Sequence, residues 1–333
     1  MIKRAILLTI MTLLLHSPAI AEGGAALERL HRGIHLVAPP AGPDRDFDTT
    51  LLSPAQGLDN IAAALDRLIE QSPRSAQSLD RLKENGRIVL VYYPDDLGRF
   101  ADGEKIALYL PEFRRDTEDD NGPGRSFYAL VGRHGVKWPV DELAAVLAHE
   151  LVGHAMQDHH RRIRKARAMD MECEAYLHEE IAYQDLGLDK HSTEMVAWRQ
   201  ALERHWCADF KSYMRDHRPG DLALWDRLNP NVPALLAIFE DYTDHLDRTG
   251  VSARAAKALQ RQIREDRARA LHHAPAAEIY RAAVELRDGG IGVPPDPAEA
   301  YRYFRIAAER GYAPARSRTG GTPATDIRRA RPR

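Results

Sequence analysis

The stretch LAHELVGHAMQ, residues 147 to 157, carries His149, Glu150 and His154. Two histidines on one helix, with a glutamate directly after the first, can hold a zinc ion and set a base beside it. The usual separation of such histidines is four residues, and Gly153 makes it five here. At about 100° per residue, positions four apart on a regular helix diverge by about 40°, and positions five apart by about 140°. A one-residue π-bulge absorbs the extra position and returns both rings to one face. Glycine tolerates such a distortion best. The spacing therefore predicts that His149 and His154 share one ion across a π-distorted turn near Gly153.

A catalytic zinc has three protein ligands and one open position for water. The next helical stretch, DMECEAYLHEE (170 to 180), places Glu172 18 residues after His154. Glu172 and Tyr176 share a helix face at i, i+4, while Glu174 points elsewhere. Glu172 is the expected third ligand and Glu174 the alternative. The competing reading is a surface helix rich in histidine, since His159 and His160 follow in QDHHRR. Against it, His149 and Glu150 come straight after the apolar run LAAVLA, where charged groups are expensive to bury without a partner. A metal is such a partner.

HELVGH resembles the HExxGH helix of the dipeptidyl peptidase III family, and MECEA is similar to that family's glutamate-bearing segment. More broadly, HExxH followed on the next helix by ExxA and an acid resembles the glutamate-zincin peptidases. The resemblance covers about 30 residues, Leu147 to Leu177. It implies zinc as the cofactor, His149, His154 and Glu172 as its ligands, Glu150 as the general base, and a peptide or other amide as the substrate. Zinc would lower the pKa of a bound water, Glu150 would take its proton, and a polarised carbonyl would be attacked. His159, His160 and Tyr176 are the candidates for stabilising the oxyanion. Tyr176 stands where the pattern carries an acid, so the motif does not say what orients a histidine ligand.

Stepwise apolar patterning shows which elements carry these residues. LDNIAAALDRLIEQ is helical, and a second helical stretch ends at Gly86. Three strand candidates follow, RIVLVYY (87 to 93), KIALYLP (105 to 111) and SFYALVG (126 to 132), the last two separated by the polar loop RRDTEDDNGPG. SFYALVG directly precedes the histidine helix and is either a core strand or the sheet edge to which a peptide adds. Helical stretches are expected near 166–186, 192–216, 232–248 and 252–273. A small sheet before a helical second half is an α+β arrangement, zincin-like, followed by a helical-repeat extension.

Lys3 and Arg4, the apolar run from Ala5 to Leu15 and Ala19-Ile20-Ala21 read as a secretory signal peptide over residues 1–21. That run is too short for a membrane span, and no later stretch is apolar enough for one. The expected location is periplasmic or secreted. Without the leader's two basic residues, 45 Lys and Arg face 49 Asp and Glu, a balance that does not point to nucleic acid as a partner. Glu22 to about Ser53 reads as an extended lead-in dotted with Pro and Gly. Cys173 and Cys207, the chain's two cysteines, are either bridged in an oxidising compartment or buried as free thiols.

Residues 276 to 315 read as two helices joined by a glycine-rich turn, with Asp296 as N-cap, Pro297 at the first helical position and Gly311 at the end. The G-x-G-V turn, the Asp, the AA-x-x-G helix end and the following A-x-A closely resemble a Sel-one-like repeat, a relative of the tetratricopeptide repeat. One such pair cannot bury its apolar face alone, so it is expected to pack on the preceding helices or on a protein partner. The expected organisation is a signal peptide (1–21), a zincin-like metallopeptidase domain (22–250), a helical region with one repeat (251–316) and a disordered tail (317–333). The competing function is a non-enzymatic periplasmic binding or scaffold protein acting through the repeat.

Overall fold

Two short strands, β1 (Leu27–His31) and β2 (Ile34–Ala38), form a hairpin within the segment whose sequence reads as a lead-in. Ile34, Leu36 and Ala38 are fully buried and alternate with His35 and Val37, the period of a strand with one face on the core. Arg32 and Gly33 make the turn with φ of 50° and 79°, the doubly positive backbone that suits a two-residue hairpin loop. Asn-Gly or Asp-Gly usually announces such a turn, and Arg-Gly does not. That is why the hairpin is hard to see in the sequence.

The structure, a computed structural model, describes residues 26–39, 51–94, 106–111, 125–163, 165–189, 191–288 and 296–319. The expected signal peptide and the polar loop 114–124 lie outside these residues, as do the glycine-rich turn of the repeat and the tail beyond 319. No helix among the described residues is long and apolar enough to cross a membrane.

Helix α1 (Pro54–Gln71) starts at a reciprocal capping box between Ser53 and Gln56, and α2 (Pro73–Asn85) follows after one residue. Strands β3 (Arg87–Tyr93), β4 (Ala107–Leu110) and β5 (Ser126–Gly132) complete a five-stranded sheet of order β1-β2-β3-β5-β4. Strands β2, β3 and β5 run parallel, and β1 and β4 are antiparallel at the two edges. SFYALVG is therefore an inner strand, and the idea that it forms a peptide-accepting edge is corrected. The edge beside the histidine helix is β4.

The chain next forms one continuous helix, α3, in three stretches: Val140–Leu147, the π-helical Ala148–Ala155, and Met156–His159. Leu143 to Val152 are buried on every side, as expected of a helix running through a core. Arg67 of α1 fixes the start of α3 by donating from Nε and Nη2 to both oxygens of Asp141, at 2.6 and 3.1 Å. Helix α4 (Ala168–Asp185) returns across α3. Then come α5 (Thr193–Ala201), a π-helical turn (Leu202–Trp206), α6 (Ala208–His217), α7 (Val232–Arg248) and α8 (Val251–His273).

Three principal cores follow this order. One lies between the sheet and helices α1 to α3, a second among α4 to α7, and a third among α9 (Ala276–Asp288), α10 (Pro297–Glu309) and α11 (Ala313–Thr319). The fold is α+β with a mixed sheet and a helical extension, as the sequence pattern predicts. The third core qualifies the expectation for the repeat, because α11 adds a third helix and buries Ala315 against the pair. It also corrects the boundary of the expected disordered tail, whose residues 317–319 belong to α11. Gly311 ends α10 at φ of 87°, a conformation that favours glycine.

Candidate metal centre

The π-helical turn does what the five-residue spacing requires. Across it the rings of His149 and His154 meet edge to face, with centroids 4.8 Å apart. Gly153 has no positive φ, so the reason for glycine there is not the helix distortion alone. A Cβ on it would lie 2.6 Å from the Cβ and 2.7 Å from the Cα of Ala175. Glycine lets α4 cross α3 in close contact, and that crossing delivers Glu172.

Nε2 of His149 lies 3.5 Å from Oε2 of Glu172, and Nε2 of His154 lies 3.8 Å from Oε1. The three side chains offer ligand atoms all within 4.8 Å of one another and could hold a metal ion. Bonds of 2.0–2.1 Å in a tetrahedron set neighbouring ligand atoms about 3.3 Å apart, so two nitrogens and a carboxylate at these separations need move little to close on zinc. Glu174, the alternative ligand, points away and accepts from Arg162 Nη2 at 2.6 Å and Gln157 Nε2 at 3.0 Å.

The acid missing at position 176 is supplied one turn later. Oε2 of Glu179 lies 3.0 Å from Nδ1 of His149, which leaves Nε2 of that ring toward Glu172. Tyr183 shares a further hydrogen bond with Glu179. Seven residues separate Glu172 from Glu179, two helical turns on one face, and that interval was the available signal in the sequence. His154 has its own support in Gln157, whose Oε1 is 3.0 Å from Nδ1.

Burial opposes a charge on His149, but its hydrogen bonds to Glu172 and Glu179 and the charge of Glu150 carry its pKa well above the ordinary value. Glu150 is buried, which raises its pKa, and the two histidines and a hydrogen bond from the Tyr109 amide partly offset this. That bond, Tyr109 N–H to Oε2 at 2.7 Å, brings the carboxylate to the edge strand β4. A buried carboxyl with a raised pKa suits a general base near neutral pH. Asp158 holds β4 in the same place, accepting from the Tyr109 hydroxyl at 2.6 Å and from Arg125 Nη2 at 2.7 Å.

Of the three oxyanion candidates, the structure brings Tyr176 to a ligand, with its ring 4.5 Å from that of His149. Burial first, then the Glu172, Glu179 and Glu150 carboxylates, push its phenol above the ordinary value and keep it a donor. His159 and His160 pack on each other at the end of α3, and His159 also meets Phe127. Tyr176 is in turn covered by Trp206 and Trp198 at 5.4 and 6.0 Å. Cys173 and Cys207 are bridged, which joins the residue after Glu172 to the residue after Trp206. Comparison with family models, with curated proteins and with solved structures finds no match to this chain.

Proposed function

We propose that the chain is an exported zinc-dependent peptidase of the glutamate-zincin type that hydrolyses a peptide or other amide bond. The observation that carries this reading is the convergence of His149, His154 and Glu172 beside a buried Glu150 that touches a sheet edge. His149, His154 and Glu172 would hold the ion. When bound, it supplies a Lewis acid that acidifies water and polarises the scissile carbonyl. Glu150 takes the proton from the attacking water and gives it to the leaving amine. Tyr176, whose ring lies 4.5 Å from that of His149, would donate to the developing oxyanion.

Strand β4 supports an extended peptide as the substrate. Even-numbered positions along β4 face β5, as does the carbonyl of Ile106, the residue just before the strand, in accepting from the Gly132 amide. Odd-numbered positions face outward, where the Tyr109 amide meets Glu150. A chain added along this edge at Ala107 would pass the base.

The test is Glu150→Gln in the mature protein, assayed for bound zinc and for cleavage of a peptide library. The expected result is about one zinc per chain in both proteins, with hydrolysis by the wild type alone. Zinc-loaded wild type that cleaves nothing would favour the second reading, a binding or scaffold protein acting through the C-terminal helices. That reading draws on the separate core those helices bury.

A further inference from the structure

Gln157 and Glu174 both lie in the interior, 1% and 8% exposed, and neither offers an atom to the metal-ligand group. The amide nitrogen of Gln157 donates to the Met171 carbonyl at 2.8 Å and to Oε2 of Glu174 at 3.0 Å. Both partners are acceptors, so the NH₂ end of the amide must face them and the oxygen must face the other way. That oxygen lies 3.0 Å from Nδ1 of His154. An amide oxygen can only accept, so Nδ1 carries the ring proton, and the lone pair sits on Nε2, the atom 3.8 Å from Glu172. Glu174 is itself fixed, because Arg162 donates to its other oxygen at 2.6 Å while the Arg162 backbone amide donates to the Gln157 carbonyl at 2.8 Å.

We infer that Gln157, oriented by Glu174 and Arg162, is a positioning residue that sets the tautomer of His154 and so prepares its Nε2 for the metal. The inference rests on the metal reading above and deepens it. Glu174, two residues from the ligand Glu172, has become the far end of a relay to the opposite ligand. The relay also explains why a glutamine three residues after His154 is buried among charged groups. Its amide supplies both a donor for the carboxylate and an acceptor for the imidazole.

The test uses the full mature chain and zinc alone. Zinc affinity is measured by chelator competition for the wild type, Gln157→Met and Glu174→Gln, alongside melting of the metal-free proteins. ¹⁵N resonances of the His154 ring report the tautomer. Gln157→Met should weaken zinc by about 10- to 100-fold with the Nδ1–H form of His154 no longer dominant, and should lower metal-free melting because the Glu174 carboxylate and the Met171 carbonyl lose a buried donor. Glu174→Gln has a single amide oxygen for two donors, Gln157 and Arg162, so it loosens the relay and should weaken zinc by a smaller factor than Gln157→Met. Wild-type zinc affinity in Gln157→Met overturns the inference alone. So does a loss of zinc affinity in Gln157→Met with the Nδ1–H form of His154 still dominant, which marks a purely structural role. A wild type that binds no zinc overturns the inference together with the metal reading.

Discussion

Oε2 of Glu179 lies 3.0 Å from Nδ1 of His149, two helical turns beyond Glu172 on the same helix. One helix thus carries both a candidate ligand, Glu172, and an acid that holds the ring of another candidate, His149. Outer partners of this kind contribute about 10- to 100-fold to metal affinity. Glu179→Ala should weaken zinc by that factor, and Glu179→Gln by less, since its amide oxygen still accepts from Nδ1. Chelator competition on the purified variants reads both values.

Gly153→Ala should destabilise the protein by about 1–3 kcal/mol, the usual cost of overpacking a filled interior. The new methyl would meet Ala175 at 2.6 Å and push α4, with Glu172, away from the two histidines. Zinc affinity should fall together with stability. Ala175→Gly removes the facing methyl but leaves the Cα at 2.7 Å, so it should rescue Gly153→Ala in part. A double-mutant cycle by urea denaturation measures the coupling between the two positions.

The Cys173–Cys207 bridge closes a separation of 34 residues, for which the chain-entropy model gives about 3–4 kcal/mol. Urea denaturation with and without reductant should show a loss of this order. Because the bridge adjoins Glu172 and Trp206, the reduced protein should also bind zinc more weakly while still folded.

A hydrogen bond from Arg67 holds the Asp141 carboxyl below its ordinary value of 3.8, against a smaller opposing effect of burial. A depressed carboxylate pKa contributes stability that is present above the ordinary value and lost as pH falls through the folded-state value. Asp141→Asn should therefore melt at a lower temperature than the wild type at neutral pH. The difference should close as pH drops below 3.8, followed by thermal melts across that range.

Much of the local structure was legible because it depends on near neighbours. RIVLVYY and SFYALVG became strands over the same residues, and the expected helices near 232–248 and 252–273 appear as Val232–Arg248 and Val251–His273. The π-distortion was legible too, since a five-residue histidine spacing on a regular helix would separate the rings. The β1–β2 hairpin was missed because an Arg-Gly turn carries no turn signature and the strands are five residues each.

What the sequence determined by itself is the chemistry on each helix: His149, Glu150 and His154 on one, Glu172 on the next, and the residues that bend and cap them. Only the tertiary structure decided which side chains meet across those helices. It brought Glu172 rather than Glu174 to the two histidines, put Glu179 and Gln157 at their outer nitrogens, set Glu150 against β4 and placed SFYALVG inside the sheet. The physical reason is that periodicity fixes the face on which a side chain lies, while the partner of that face depends on how closely two helices can approach. Here that approach is set by Gly153 against Ala175, a contact between residues 22 positions apart in the chain.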